Sequence, residues 1–153
     1  MANLIKTKRG LDIQISGKAE EVIGKVLISE TIAIIPDQYQ GITPKVLVKE
    51  GDEVKVGTAV FRNKTFEEMN FVSPVSGKVL AVNRGERRKV LSITIENDFK
   101  NTYVSFQNTS LDKLKPEEIK QLLLQSGLWT YIKQRPYDVI ANPNKTPKAI
   151  FVS

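Results

Sequence analysis

Between residues 44 and 97 the chain cannot run straight for long. Its apolar residues come in short alternating runs, "KVLVKEGDEVKVGTAVF", "FVSPVSGKVLAV" and "KVLSITIEN", each broken by Gly, Pro or a Gly-Asp pair. A period of two marks half-buried strands. Short strands separated by turn signals mark an all-β sandwich or barrel. Val46, Leu47 and Val48 read as one strand. Glu50-Gly51-Asp52 reads as a turn, because Gly accepts a positive φ and Asp bonds the backbone beyond it. Val54 and Val56 alternate around Lys55, and Gly57 turns the chain again. Pro74 ends a strand and Gly77 supplies the permissive corner before the next. Leu91, Ile93 and Ile95 are expected on one face. "KVLVKEG" from Lys45 and "KVLAVNRG" from Lys78 are loosely alike, a weak internal repeat.

The flanks differ from this middle. "LDIQIS" (Leu11, Ile13, Ile15) alternates cleanly, and "GKVLIS" and "TIAIIP" are further strand candidates. After Asp98 the period changes. "LDKLKPEEIKQLLLQSG" is expected to be a helix, with Pro116 at its first position. Glu117 and Glu118 suit the positive end of its dipole. Ile119, Leu122 and Leu123 form its buried stripe, and Gly127 caps it. "LWTYIKQRP" reads as a short turn or helix ended by Pro136, "NPNKTP" as a loop and "KAIFVS" as a buried strand. Because a domain seldom stops inside its most apolar β segment, the sequence is expected to be cut from something longer.

Composition narrows the chemistry. At 153 residues the chain can bury roughly 68–70% of its unfolded surface without staples. With no Cys there are no disulfides, thiolate metal sites, iron–sulfur clusters or cysteine nucleophiles within it. With no His, imidazole ligation and Ser–His or Cys–His catalysis are also out. No apolar run approaches the ~20 residues of a membrane-spanning helix. The basic N-terminus lacks the apolar stretch of a signal peptide. The net charge of +6, from 23 basic and 17 acidic residues, fits nucleic acid, anionic lipid or an acidic partner. Local concentrations are Lys6/Lys8/Arg9 and Arg84/Arg87/Arg88/Lys89, and no aromatic residues interleave with them as a stacking platform requires. A nucleic-acid-binding β domain is therefore the third-ranked reading; it predicts salt-sensitive binding to DNA or RNA. Glu50, Asp52 and Glu53 match no EF-hand spacing, and no metal site is expected.

"VKEGDEVKVGTAVF" with "FVSPVSGKVLAV" resembles the biotinyl/lipoyl-carrier superfamily, in which two quasi-equivalent β-halves form a flattened barrel. A carrier presents a lysine within Met-Lys-Met or Asp-Lys-Ala. The nearest candidate, Lys64 in "FRNKTFEEM", has neither pattern and reads as a solvated loop lysine. "IKTKRGLDIQISGKAE", "SPVSGKV…NRGERRKVLSITIE" and "SGLWTYIKQRPY…AIFVS" together resemble the A-subunit family of the sodium-translocating NADH:quinone reductases, in the same order over nearly the whole chain. The C-subunit family of the Rnf electron-transport complexes shares the "SPVSGKV" corner without "RGERR" and ranks second.

The resemblance implies an α+β, mainly β fold: a barrel-sandwich hybrid over 1–98, then over 99–153 a helical segment and the first strand of a truncated α/β, Rossmann-like domain. It implies a peripheral subunit on the cytoplasmic face of the bacterial inner membrane, without a transmembrane segment. Its partners are the other subunits of a complex that couples electron transfer from NADH to ubiquinone with Na+ export. The holo-complex uses NADH, flavins, an iron–sulfur centre, ubiquinone and Na+. This piece is expected to hold none of these as a bound cofactor, to serve in structure and assembly with a place near the ubiquinone site left open, to contact no nucleic acid and to be non-catalytic alone.

"LLQSGLWTYIKQRPY" is also similar to the "SGLRGRGGAGFP" stretch of the flavoprotein subunit of respiratory complex I, whose glycines let backbone approach phosphates. Here Trp129, Thr130, Tyr131 and Lys133 follow Gly127, so loss of flavin and NADH binding is expected. Trp129 beside Leu128 and Ile132 is expected to be a core anchor, with quinone contact as the alternative. Arg84, Arg87 and Arg88 cannot all face a core. Three readings compete for them. They pair locally with Glu67, Glu68 or Glu86; they dock on an acidic face of a neighbouring subunit or on anionic lipid; or they contact nucleotide phosphates or a quinone headgroup.

Overall fold

The computed structural model describes residues 16–25, 28–106 and 110–152. The expected strand at 11–15 and the Lys6/Lys8/Arg9 cluster lie outside these residues, as do the two central positions of "GKVLIS". Strands β1 (Thr31–Ile34), β2 (Pro44–Val46), β3 (Glu53–Val54), β4 (Ala59–Asn63), β5 (Asn70–Val72), β6 (Gly77–Arg84) and β7 (Val90–Asn97) form two antiparallel sheets. One has the order β1-β7-β6-β3 and the other β2-β4-β5. Helix α1 (Pro116–Gln125) follows, then a small hairpin of β8 (Lys133–Gln134) and β9 (Val139–Ile140). The result is a barrel-sandwich hybrid, mainly β with one α-helix among the described residues.

The sheets share one interior. Ile34, Val54, Val79, Val90, Ile93 and Ile95 from the first meet Val60, Phe61 and Phe71 from the second, with Met69 beside them. Phe61 and Phe71 stack at 4.4 Å, and Tyr39 meets Phe71 edge-on at 4.7 Å. Each such side chain contributes about 1.5–3 kcal/mol by leaving water. The two quasi-repeated stretches meet directly: Gly51 N–H donates to Val79 O at 2.8 Å, and Val79 N–H donates to Asp52 O at 2.9 Å. Gly51 and Gly57 take φ of +91° and +90°, as their turns require. The Asp52 carboxylate, however, accepts the Lys49 N–H at 2.9 Å, behind the turn rather than beyond it. The Val46–Val48 run is a strand only to Val46, although Leu47 N–H still reaches Val60 O.

Leu91 does not join Ile93 and Ile95. The β6–β7 register slips twice, from Val79↔Ile95 to Ala81↔Thr94 and from Asn83↔Ser92 to Arg84↔Val90. Each slip inserts one unpaired residue and reverses the alternation beyond it. Leu80 and Leu91 are those residues; both are exposed, and Val90 turns inward in place of Leu91.

The helix has its expected ends, with Pro116 first and Gly127 left-handed at φ +77°. Its buried face is shifted. Leu124 is fully buried, whereas Ile119, Leu122 and Leu123 are half-buried. The shift follows from its seat on the edge of β5. Asn70 Nδ2 donates to Gln125 O at 3.3 Å, and a Cβ on Gly127 would stand 3.0 Å from Val72. Pro136 lies in the β8–β9 turn, so the segment after the helix is a 3₁₀ turn and a hairpin. "KAIFVS" is not a buried strand: over 148–152 no strand forms, and Ile150, Phe151 and Val152 are exposed. A strand needs a neighbouring backbone to bond to, and none of the described residues offers it one.

Candidate functional site

The β6–β7 hairpin ends in the basic cluster. Gly85 N–H donates to Lys89 O at 2.8 Å and Lys89 N–H donates to Glu86 O at 3.0 Å, closing Glu86–Arg88 into a single 3₁₀ turn. Gly85 is the only glycine of the turn. The structure places the positive φ on Arg87 (+52°) and Arg88 (+62°), while Gly85 stays extended at −98°. For an L-residue this region costs roughly 1–2 kcal/mol. What Gly85 supplies is room, since a Cβ there would meet the Leu91 side chain at 3.2 Å.

The four cations of the tip have different surroundings. The Lys89 ammonium pairs with the Asp37 carboxylate, in the 3₁₀ turn Pro36–Gln38. Arg84 turns back, and its Nη1 donates to the Arg88 carbonyl at 3.4 Å. Arg87 and Arg88 are exposed, and among the described residues neither forms a salt bridge. The local pairing with Glu67, Glu68 or Glu86 does not form. Glu67 lies against Lys45 (3.2 Å) and Arg62 (3.1 Å), and Glu68 accepts from Gln121. The Lys45 hydrogen bond, then the Arg62 charge, hold the Glu67 carboxyl below the usual range. Sequence reading missed both tethers of the tip. Asp37 is 52 residues from Lys89, and no local spacing signals that contact.

The structure does not bring the other candidates to this tip. Trp129 sits in the 3₁₀ turn Leu128–Tyr131 at the end of α1. It is half-buried against the core, and its indole N–H donates to Ala141 O at 2.8 Å. In the same turn Thr130 N–H bonds Gly127 O and Ile132 N–H bonds Trp129 O, so these amides are engaged internally. Lys64 is exposed in the β4–β5 connection, where its backbone N–H donates to Thr43 O at 2.8 Å.

The far end of the β6–β7 hairpin borders an open cleft of about 510 Å³, lined by charges of both signs including Glu53, Lys55, Lys78, Glu96 and Lys100. Beside it the buried Ser76 hydroxyl donates to Asp98 Oδ1 at 2.6 Å and accepts Thr102 N–H at 3.2 Å. Asp98 Oδ1 also accepts Lys100 N–H at 2.9 Å. The Ser76 hydrogen bond, then that of Lys100, hold the Asp98 carboxyl below its ordinary range. Among the described residues no cluster of three acidic groups is arranged to hold a metal.

The chain matches the family model described as the NqrA N-terminal barrel-sandwich hybrid domain over residues 5–98, and that of the NqrA second alpha/beta domain over residues 114–153. It is 38% identical over 152 residues to the A-subunit of the Na(+)-translocating NADH-quinone reductase of Marinomonas sp. (strain MWYL1), covering 98% of this chain and 34% of that protein. The corresponding A-subunits of Yersinia pestis and Haemophilus influenzae (strain PittGG) are 38% and 37% identical over the same shares. The chain thus spans about a third of the length of the curated relatives it matches, at 34%.

Proposed function

Because the chain belongs to the family of NqrA N-terminal barrel-sandwich hybrid domains, we propose that it forms part of the A-subunit of a sodium-translocating NADH:quinone reductase. That complex couples electron transfer from NADH to ubiquinone with Na+ export. In this reading the chain is peripheral, lies on the cytoplasmic face of the membrane and supplies no catalytic group. No helix among the described residues is long and apolar enough to cross a membrane. The unit is organised as a barrel-sandwich region over 1–98 and the start of an α/β domain from 99, joined where α1 and Gly127 seat on β5. Trp129 serves there as an anchor, its ring against the core and its N–H on Ala141.

The role of this piece is assembly. The observation that carries it is the hairpin tip, where Arg87 and Arg88 stand exposed without an ion-pair partner among the described residues. Exposed guanidinium forks at a hairpin end suit docking against another macromolecule of the complex. Reversing both charges (Arg87→Glu with Arg88→Glu) in the full-length protein should leave it folded and reduce its co-purification with the membrane subunits. Wild-type assembly by that double variant would remove the docking role.

A further inference from the structure

We infer that the tip is a preset receptor for carboxylates on a neighbouring polypeptide, in which Arg87 and Arg88 make the contact and Arg84 and Lys89 hold them in position. This rests on the docking role proposed above and assigns its four cations separate tasks. Lys89 ties the base of the turn to Asp37, and Arg84 holds the Arg88 carbonyl. Both therefore work inward. Arg87 and Arg88 remain, side by side and exposed, on left-handed backbone. Stability alone favours glycine at both positions, because only glycine enters that region without steric cost. The one glycine of the turn, Gly85, is extended instead. Strain that the surrounding bonds over-determine is a mark of functional positioning. Here those bonds are Gly85–Lys89, Lys89–Glu86 and Arg84–Arg88.

The number of outward cations selects the partner. Guanidinium forks hold carboxylates and phosphates alike in bidentate fashion. An anionic lipid surface rewards the number of charges, for which lysine serves as well as arginine. Only two of the four tip cations are left outward, too few for a polybasic lipid anchor. The partner is therefore an acidic protein face, and an arginine-to-lysine exchange read together with vesicle binding separates the two classes.

The test uses the full-length protein with its complex. Arg87→Gly with Arg88→Gly should raise the unfolding midpoint of the protein while lowering its retention by the other subunits at least about tenfold. Arg87→Lys with Arg88→Lys should also lose retention, despite its unchanged charge. A Gly pair that lowers the midpoint would show that the backbone was not strained and overturn the preset tip. Wild-type retention by the Lys pair, with wild-type-like binding to phosphatidylglycerol vesicles, would replace the carboxylate receptor by a lipid contact. If the Glu pair disrupts assembly while the Lys pair does not, docking stands and this inference falls. If the Glu pair is without effect, the docking role itself falls.

Discussion

The Ser76 hydroxyl donates to the Asp98 carboxylate at 2.6 Å, joining the corner before β6 to the end of β7. That one bond leads the depression of the Asp98 pKa, ahead of the Lys100 N–H. An Asp whose folded pKa lies below its unfolded value, about 3.9, binds a proton more readily when unfolded. Its stabilisation is complete above the unfolded pKa and is lost as pH falls through the folded one. Ser76→Ala should move the Asp98 titration upward, towards the ordinary carboxylate value, and weaken the acid dependence of stability. Carboxyl-carbon NMR titration reads the shift directly; an unmoved Asp98 would show that Ser76 is not its cause.

Gly77 has φ +147°, and an added Cβ would lie 1.8 Å from the Glu96 carbonyl oxygen, which is backbone and cannot swing aside. Gly77→Ala should therefore cost at least about 4 kcal/mol, the range reserved for severe defects. Gly51→Ala meets no atom within 4 Å and bears only its φ of +91°, so about 1–2 kcal/mol is expected. Denaturant midpoints of the pair rank the two effects. Equal losses would mean that steric overlap at Gly77 is relieved by a backbone shift.

The helix is fastened to the barrel by Leu124 and by the close pass of Gly127 over Val72. Leu124→Ala should cost about 2–5 kcal/mol by emptying a buried site. Gly127→Ala should cost less globally, because Val72 can give by a few tenths of an ångström, but it also meets φ +77°. Hydrogen exchange of the α1 amides should accelerate in both variants while that of β6 and β7 changes less in Gly127→Ala. Uniform acceleration in Gly127→Ala would show that helix and barrel open as one unit.

Trp129→Phe keeps an aromatic ring and removes the N–H that reaches Ala141. A loss of about 0.5–1.5 kcal/mol is expected, with faster amide exchange at Ile132 and Ala141, whose own bond the indole supports. If Trp129→Phe loses quinone response in the assembled complex while stability is unchanged, the tryptophan is a ligand contact rather than an anchor.

What the sequence determined by itself is local. A period of two, Gly51, Gly57 and Gly77 at corners, Pro116 and Gly127 at helix ends, and the lack of Cys and His depend on a residue and its near neighbours, so they can be read along the chain. The tertiary structure alone decided which side of an element faces inward and which charges meet. The register slip between Asn83↔Ser92 and Arg84↔Val90 exposed Leu91, whose alternation with Ile93 points inward on paper. The seat on β5 chose Leu124 over Leu122 and Leu123. Asp37 took Lys89 from across 52 residues, Arg84 turned onto Arg88, and the left-handed backbone fell on two arginines rather than on the neighbouring glycine. The physical reason is common to all of these: register and long-range pairing are properties of two segments together, and neither segment carries the other's position in its own residues.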